Sequence, residues 1–410
     1  MLKVNVEELR KLFPALSGTV YGKPLVYLDN AATIQRPASV IDKWVDMTEH
    51  HNANLHRAVH KIAADATEEY ESTRDAVKVF LNAASREEIV FTSGATASIN
   101  LVAFCFGEAF VKPGDEIIVT EAEHHSNIVP WQMMCARKGA VLKVLPVDDD
   151  GHLRIDLLDG LLTDRTRLMC VAQISNVLGI VNPVKEIVNI CHSKGCSVLV
   201  DGAQGVVHTG ADVADLGCDF YVFSGHKVYA APGTGVLYGR KELLDAMPPY
   251  MGGGEMIASV NFSGTTYAPL PGKFEAGTQN IAGTPTIKPA LELAEALRNR
   301  ELTEYGDKVR DFVLNALLSD KRIKLYGVPR GTSDKIALFS FTVNGAHHED
   351  LALLLDKMGI AVRSGQMCAE PLMDRFGVTG MLRASFAPYN TVEEAERFLQ
   401  SLDRAITMLV

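Results

Sequence analysis

Apolar residues fall into two rhythms along this chain. Between about residues 25 and 295, short β-favouring runs alternate with stretches of helical spacing. The runs cover residues 88–92, 116–120, 141–145, 168–172, 197–200, 219–223 and 235–238, and residues 183–194 are typical of the helical stretches between them. This alternation predicts βαβ units and a mainly parallel sheet covered on both faces. Ligands bind such sheets at the carboxyl ends of the strands.

After about residue 296 the rhythm changes. A charged helix over 302–318, a strand over 336–343 and a helix over 348–358 are followed by short strands near 361–363 and 382–386 and a last helix over 392–408. That order predicts a smaller α+β domain. At the other end, Val6, Leu9, Leu12 and Phe13 predict an amphipathic helix within residues 1–20. The expected organisation is a helical segment at 1–24 packing with the small domain, a large ligand-binding domain at 25–295, and a small domain at 296–410. Residues 248–285, with Pro248-Pro249 and Gly252-Gly253-Gly254, break the alternation as a long irregular excursion. Such excursions are usually functional or form interfaces.

Composition narrows the picture. At 410 residues the chain exceeds one simple core, and 47% hydrophobic residues supply a large one. A formal charge of −10 argues against a nucleic-acid partner but not against a small anion held by local donors. No run approaches 18 apolar residues, so no membrane span is expected. The first eight residues are mixed polar, without a leader's apolar stretch, which predicts a cytoplasmic protein. The seven cysteines include no CxxC pair. Six of them read as buried, reduced thiols. Cys368 differs, because it lies in the polar, glycine-containing run Arg363-Ser364-Gly365-Gln366-Met367-Cys368.

The chemistry gathers at strand ends. Val198-Leu199-Val200 runs into Asp201-Gly202-Ala203-Gln204, and the next strand runs into Ser224-Gly225-His226-Lys227. A lysine and an acid ending neighbouring core strands suit pyridoxal phosphate: the amine forms an imine and the acid keeps the pyridine nitrogen protonated. A lysine buried beside a cationic ring also has a lowered pKa and becomes nucleophilic. Phe91-Thr92-Ser93-Gly94-Ala95-Thr96 turns from a strand into a helix start, a phosphate site by dipole and free N–H groups. In Glu123-His124-His125-Ser126 the two adjacent histidines point apart, so they do not share a metal, and no metal site is expected. His124 is the candidate to lie on a cofactor ring and move protons. Cys368 is a candidate nucleophilic thiolate. Arg363 and Arg383 are candidates to clamp a carboxylate.

Taken in order, these segments carry a resemblance. So do Tyr27-Leu28-Asp29-Asn30-Ala31-Ala32, Asn52-Ala53-Asn54-Leu55-His56-Arg57, Ser175-Asn176-Val177-Leu178-Gly179, Gly252-Gly253-Gly254-Glu255-Met256-Ile257, Phe274-Glu275-Ala276-Gly277-Thr278 and Arg383-Ala384-Ser385-Phe386. Almost end to end, the chain resembles the class-V aminotransferase group of fold-type I pyridoxal-phosphate enzymes. Within that group it is similar to the type II, SUF-type cysteine desulfurases. The resemblance implies an α/β fold: a large domain with a mainly parallel sheet that binds pyridoxal 5'-phosphate, plus a smaller α+β C-terminal domain. It implies that Lys227 forms the imine, Asp201 pairs with the ring nitrogen, Gln204 bonds the ring oxygen, and His124 stacks on the ring in acid–base steps. Thr96, Ser224 and His226 would hold the phosphate, and Thr278 would reach the phosphate of a partner subunit. Asn176 and Arg383 would bind the substrate carboxylate, with Arg363 near. Cys368 would carry sulfur as a persulfide.

Implied with this are conversion of L-cysteine to L-alanine, a homodimer, a small sulfur-acceptor protein and iron–sulfur cluster assembly. The alternatives are a selenocysteine lyase or cysteine-sulfinate desulfinase, another class-V activity such as aminotransfer, and a non-catalytic sulfur-relay scaffold. Gln366 and Met367 stand where many relatives have histidines, which removes a possible cation beside Cys368.

Overall fold

A computed structural model of the chain describes residues 6–56, 59–331 and 334–410; Arg57, within one of the quoted motifs, lies outside them. The seven expected strands form one sheet: β1 (Ile89–Thr92), β2 (Glu116–Thr120), β3 (Val141–Leu145), β4 (Thr166–Ala172), β5 (Ser197–Asp201), β6 (Phe220–Ser224) and β7 (Gly235–Gly239). Their order is β1-β7-β6-β5-β4-β2-β3. The pairs joining β6, β5, β4, β2 and β3 are parallel, while β7 is antiparallel to both its neighbours. Every residue of β6 and β7 is buried. Such strands are covered on both faces, which explains their continuous apolar runs. β3, at the sheet edge, is largely exposed.

Of the helix expected over residues 1–20, residues 1–5 lie outside the described residues; from there α1 runs Val6–Lys11 and ends before a 3₁₀ turn at Pro14–Ser17. Pro14 has no N–H for an α-helical bond, so the chain re-forms there as a tighter turn. Phe13 packs against Tyr229 and Tyr389, and Arg10 pairs with Glu394 at 2.9 Å. α2 (Lys61–Leu81) and α3 (Ala95–Phe110) flank β1. The excursion is less irregular than expected. It contains a hairpin of β8 (Ile257–Asn261) and β9 (Gly264–Tyr267), exposed on nearly every residue. With neither face buried in this chain, its sequence carries no apolar alternation.

α4 (Arg300–Ser319), α5 (His348–Lys357) and α6 (Val392–Leu409) pack with a second, antiparallel sheet. Its strands are β10 (Ile323–Tyr326), β11 (Leu338–Val343), β12 (Arg363–Gly365) and β13 (Met381–Ser385), in the order β10-β11-β13-β12. The single strand expected near 361–363 is split. Ile360–Ala361 pairs in parallel with Val26–Tyr27, and only Arg363 onward joins the sheet.

A buried ion pair ties the excursion to the main sheet. Arg74 of α2 is 1% exposed and meets Glu275 through two bonds, at 2.7 and 2.9 Å. Glu275 also accepts the Phe91 N–H at 2.8 Å, and the guanidinium carbon lies 4.5 Å from the Phe91 ring centroid. Removing Glu275 would leave Arg74 with only the partly exposed carboxylate of Glu71, at 3.0 and 3.1 Å, and take the acceptor from the Phe91 N–H. Glu275→Ala is therefore expected to cost about 1–3 kcal/mol, read as a lower urea midpoint of unfolding. An unchanged midpoint would show that the pair is dispensable.

Candidate active site

The carboxyl ends of β1, β2, β4, β5 and β6 open on one cleft, and β12 and β13 close its far side. The cavity is about 230 Å³ and is lined by Thr96, His124, Asn176, Asp201, Gln204, Ser224, His226, Lys227, Arg363, Cys368 and Arg383, among others. All the residues singled out from sequence except Thr278 are thus brought together. Thr278 is exposed on the excursion, outside this cleft.

The floor is a turn at each strand end. Asp201 closes β5, and one carboxylate oxygen accepts the Ala203 N–H at 2.9 Å. Gly202 follows because a Cβ there would lie 2.1 Å from the Tyr221 hydroxyl. Lys227 ends the short turn after β6. Burial pushes the Asp201 carboxyl up, and Lys227 opposes that; burial pushes the Lys227 amine down, and Asp201 opposes that. Gln204 donates to the Ala31 carbonyl at 2.8 Å, fixing the segment after Asp29 over the floor.

The phosphate-like end is the start of α3. Gly94 precedes it with φ 148°, and a Cβ on Gly235 of β7 would fall 2.4 Å from the Gly94 Cα. Two glycines therefore let β7 pass close under the helix start. The Ser224 hydroxyl accepts the Ala95 N–H at 2.8 Å, which leaves its own proton to give. Thr96 and Ser126 share a hydroxyl contact of 2.7 Å at the rim. The Thr33 hydroxyl lies 3.2 Å from His226 Nδ1, and burial, then Lys227, lower His226 to about 4.

His124 follows β2. Its Nδ1 accepts the Ser126 N–H at 3.0 Å. Burial first, then the charge of Lys227, lower its pKa to about 4, so the ring is neutral. Beneath it lies Glu123, to which the sequence reading gave no role. Its carboxyl accepts from Thr120 and Asn127, each at 2.6 Å, and from the Ala172 N–H at 2.9 Å. Asn127 in turn accepts from the Trp131 indole at 2.9 Å. This network pins the histidine turn to β4. Burial raises Glu123 to about 7.

On the opposite wall, Arg363 of β12 and Arg383 of β13 are direct cross-strand partners. Asp29 answers both, 3.2 Å from Arg383 and 3.7 Å from Arg363. Arg383 is 3% exposed and donates to the Asn176 carbonyl at 2.8 Å, while its buried Nε meets no acceptor among the described residues. Cys368 is exposed, and the other six cysteines are buried, as the sequence predicts. Met367 and Cys368 take left-handed backbone, φ 54° and 56°. That conformation costs about 1–2 kcal/mol per residue. Asn176 donates to the Met367 carbonyl at 2.8 Å. The His125 N–H donates to the Cys368 carbonyl at 2.7 Å, and its Nε2 accepts the Glu370 N–H at 2.9 Å. The role of His125 is not legible in sequence, since its partners lie 243 to 245 residues away (368 − 125 and 370 − 125).

These residues fit pyridoxal phosphate. The glycine cradle at the start of α3 takes a phosphate, the carboxyl of Asp201 suits a protonated ring nitrogen, and Lys227 offers an amine. Arg383, with an unpartnered donor, suits a carboxylate. Among the described residues there is no metal-binding cluster.

The aminotransferase class-V profile matches residues 26–398. The chain is 46% identical over 405 residues to a cysteine desulfurase of Pectobacterium carotovorum subsp. carotovorum, covering 98% of each. It superposes on the crystal structure of the Escherichia coli cysteine desulfurase CsdA with TM-score 0.91 at 40% identity, and on the apo cysteine desulfurase of Thermococcus onnurineus with 0.93 at 34%, all of each chain being covered.

In the cofactor-free protein the His124 ring is expected to stay neutral from about pH 8 to pH 5 and to titrate near 4, followed by NMR of its ring nitrogens. Lys227→Ala removes a nearby cation and is expected to raise that midpoint. A wild-type midpoint near 6.5 would contradict the burial argument.

Proposed function

The chain belongs to the class-V aminotransferase family, and we infer that within it the protein is a cysteine desulfurase, moving sulfur from L-cysteine to Cys368 and releasing L-alanine. The observation that carries this reading is one exposed thiol, Cys368, in the same cleft as Lys227, Asp201 and the arginine pair.

When bound, pyridoxal phosphate supplies a carbonyl that links to the substrate amine and a ring that takes up electrons released at Cα. The residues of this chain do the rest. Asp201 would keep a proton on the ring nitrogen, and Gln204 would donate to the ring oxygen. Thr96, Ser224, His226 and the first turn of α3 would hold the phosphate. Thr278 serves the phosphate of the other subunit in a homodimer, which suits its exposed place on the excursion. Arg383, with Arg363 and Asn176, grips the substrate carboxylate and sets Cβ and sulfur toward the cysteine loop. Lys227, its pKa depressed by burial, takes the Cα proton as a free amine. Neutral His124 would relay protons at the cofactor.

Cys368 acts last. Its thiolate attacks the substrate sulfur, and the Cβ–S bond breaks. The bonding pair stays with the three-carbon skeleton, which leaves protonated as alanine. One cysteine and one thiol thus give one alanine and one persulfide. The persulfide passes to a small sulfur-acceptor protein, feeding iron–sulfur cluster assembly. The exposure of Cys368 in this chain suits transfer to such a partner.

Lys227→Ala is expected to lose the visible absorbance of the cofactor–lysine linkage and to lower turnover by about 10²–10⁴-fold or more. Cys368→Ala is expected to keep the absorbance and lose sulfide and alanine production from L-cysteine while still breaking down selenocysteine. Wild-type turnover of L-cysteine by the Cys368 variant would overturn the persulfide role.

A further inference from the structure

The two adjacent histidines have separate tasks, and the second is held by the cysteine loop rather than by the cofactor cleft. We propose that His125 is a positioning residue for the reaction: its ring anchors the loop that aims Cys368. The inference rests on the reading of Cys368 as sulfur acceptor. Its geometry stands apart from that reading.

The argument begins with the loop's backbone. Two successive residues with side chains, Met367 and Cys368, are held left-handed. Such a pair does not persist unless its surroundings over-determine it. The loop's own contribution is one backbone bond, from the Ala369 N–H to the Gln366 carbonyl at 3.0 Å, and an exposed side-chain bond from Gln366 to the Glu370 carboxylate at 3.2 Å. The remaining restraints come from outside. Asn176 holds the Met367 carbonyl at 2.8 Å, and the His125 backbone N–H holds the Cys368 carbonyl at 2.7 Å. The third is the His125 ring, whose Nε2 accepts the Glu370 N–H at 2.9 Å. Glu370 begins the short helix Glu370–Phe376, where the cap residue Ala369 makes no side-chain hydrogen bond to the helix. The imidazole thus takes the place of the missing cap.

His125 therefore grips the loop at two points just past the sulfur, by main chain at the Cys368 carbonyl and by side chain at the Glu370 N–H. It also follows His124 directly, on the turn that Glu123 pins to β4. The proton-relaying ring and the sulfur-accepting thiol are consequently fastened to one rigid turn. A near-attack arrangement of thiolate and substrate sulfur needs that fixity, since an ångström of misplacement costs about 10²-fold in rate. To accept from Glu370, Nε2 must carry its lone pair, so the ring proton sits on Nδ1.

The test compares His125→Ala and His125→Gln with the wild type, all as cofactor-loaded protein. A glutamine carbonyl can reach the place of Nε2 and accept the same N–H; alanine cannot. In the alanine variant the Glu370 amide is expected to exchange with deuterium about tenfold faster or more. Persulfide formation in a single turnover, and kcat, are expected to fall about tenfold or more, with KM for L-cysteine and cofactor absorbance within threefold of wild type. The glutamine variant is expected to restore both amide protection and kcat. Wild-type exchange and kcat in His125→Ala would overturn the proposal. So would equal impairment of the two variants, which would make His125 a general structural residue. If the wild type produced no alanine, the desulfurase reading would fail instead, and exchange at Glu370 would still decide whether the ring anchors the loop.

Discussion

Asp201 and Lys227 set the terms for the whole cleft. Burial works against the charged form of each, and the field of the other opposes it. That arrangement depends on strand direction. β5 and β6 are parallel and in register, with Asp201 opposite Val222 two residues before Ser224. Were either strand reversed, one charge would sit at the far edge of the sheet. The same parallel edge brings β1, β2 and β4 to the cleft, so the start of α3 and the turn after β2 face the same volume. The remaining substitutions of ordinary core logic cluster there: glycines that admit a ring or a passing strand, a buried carboxyl under His124, and two imidazoles held neutral.

The second sheet supplies what the first lacks. Arg363 and Arg383 stand directly across from each other, an unfavourable pairing of like charges. Asp29 offsets part of it and reaches them because Val26–Tyr27 pairs with Ile360–Ala361 just before β12. The pair still carries an excess of positive charge, which is what a carboxylate ligand needs. The loop between β12 and β13 then carries Cys368 back over the floor. The site is thus a joint between two sheets: the second carries the cysteine loop, and residues that follow β2 and β4 of the first hold it.

Much of this was legible from the chain. Seven strands announce themselves by apolar runs, and a run that ends in Asp-Gly or Ser-Gly-His-Lys announces a turn with chemistry. The direction of β7 was not legible, because hydrophobic periodicity is the same read either way. The hairpin of β8 and β9 was hidden by exposure on both faces. The helix at the start was overextended, because Val6, Leu9, Leu12 and Phe13 keep helical spacing up to Pro14. Glu123 and His125 gave no signal either. Their roles consist of bonds to residues far along the chain, and one sequence does not record distance in space.

By itself the sequence determined which residue types end which strands, and hence the kind of chemistry: an amine, an acid, a helix start and one polar-loop thiol. Those are local matters, decided by propensity, turn residues and solvation. Tertiary structure alone decided that the arginines face each other across a strand pair, that Asp29 answers both, and that His125 rather than a neighbour of Cys368 holds the cysteine loop. These are long-range contacts, made only when the turn after β2, the Val26–Tyr27 segment, β12 and β13 are packed together, and so they belong to the fold rather than to any segment of it.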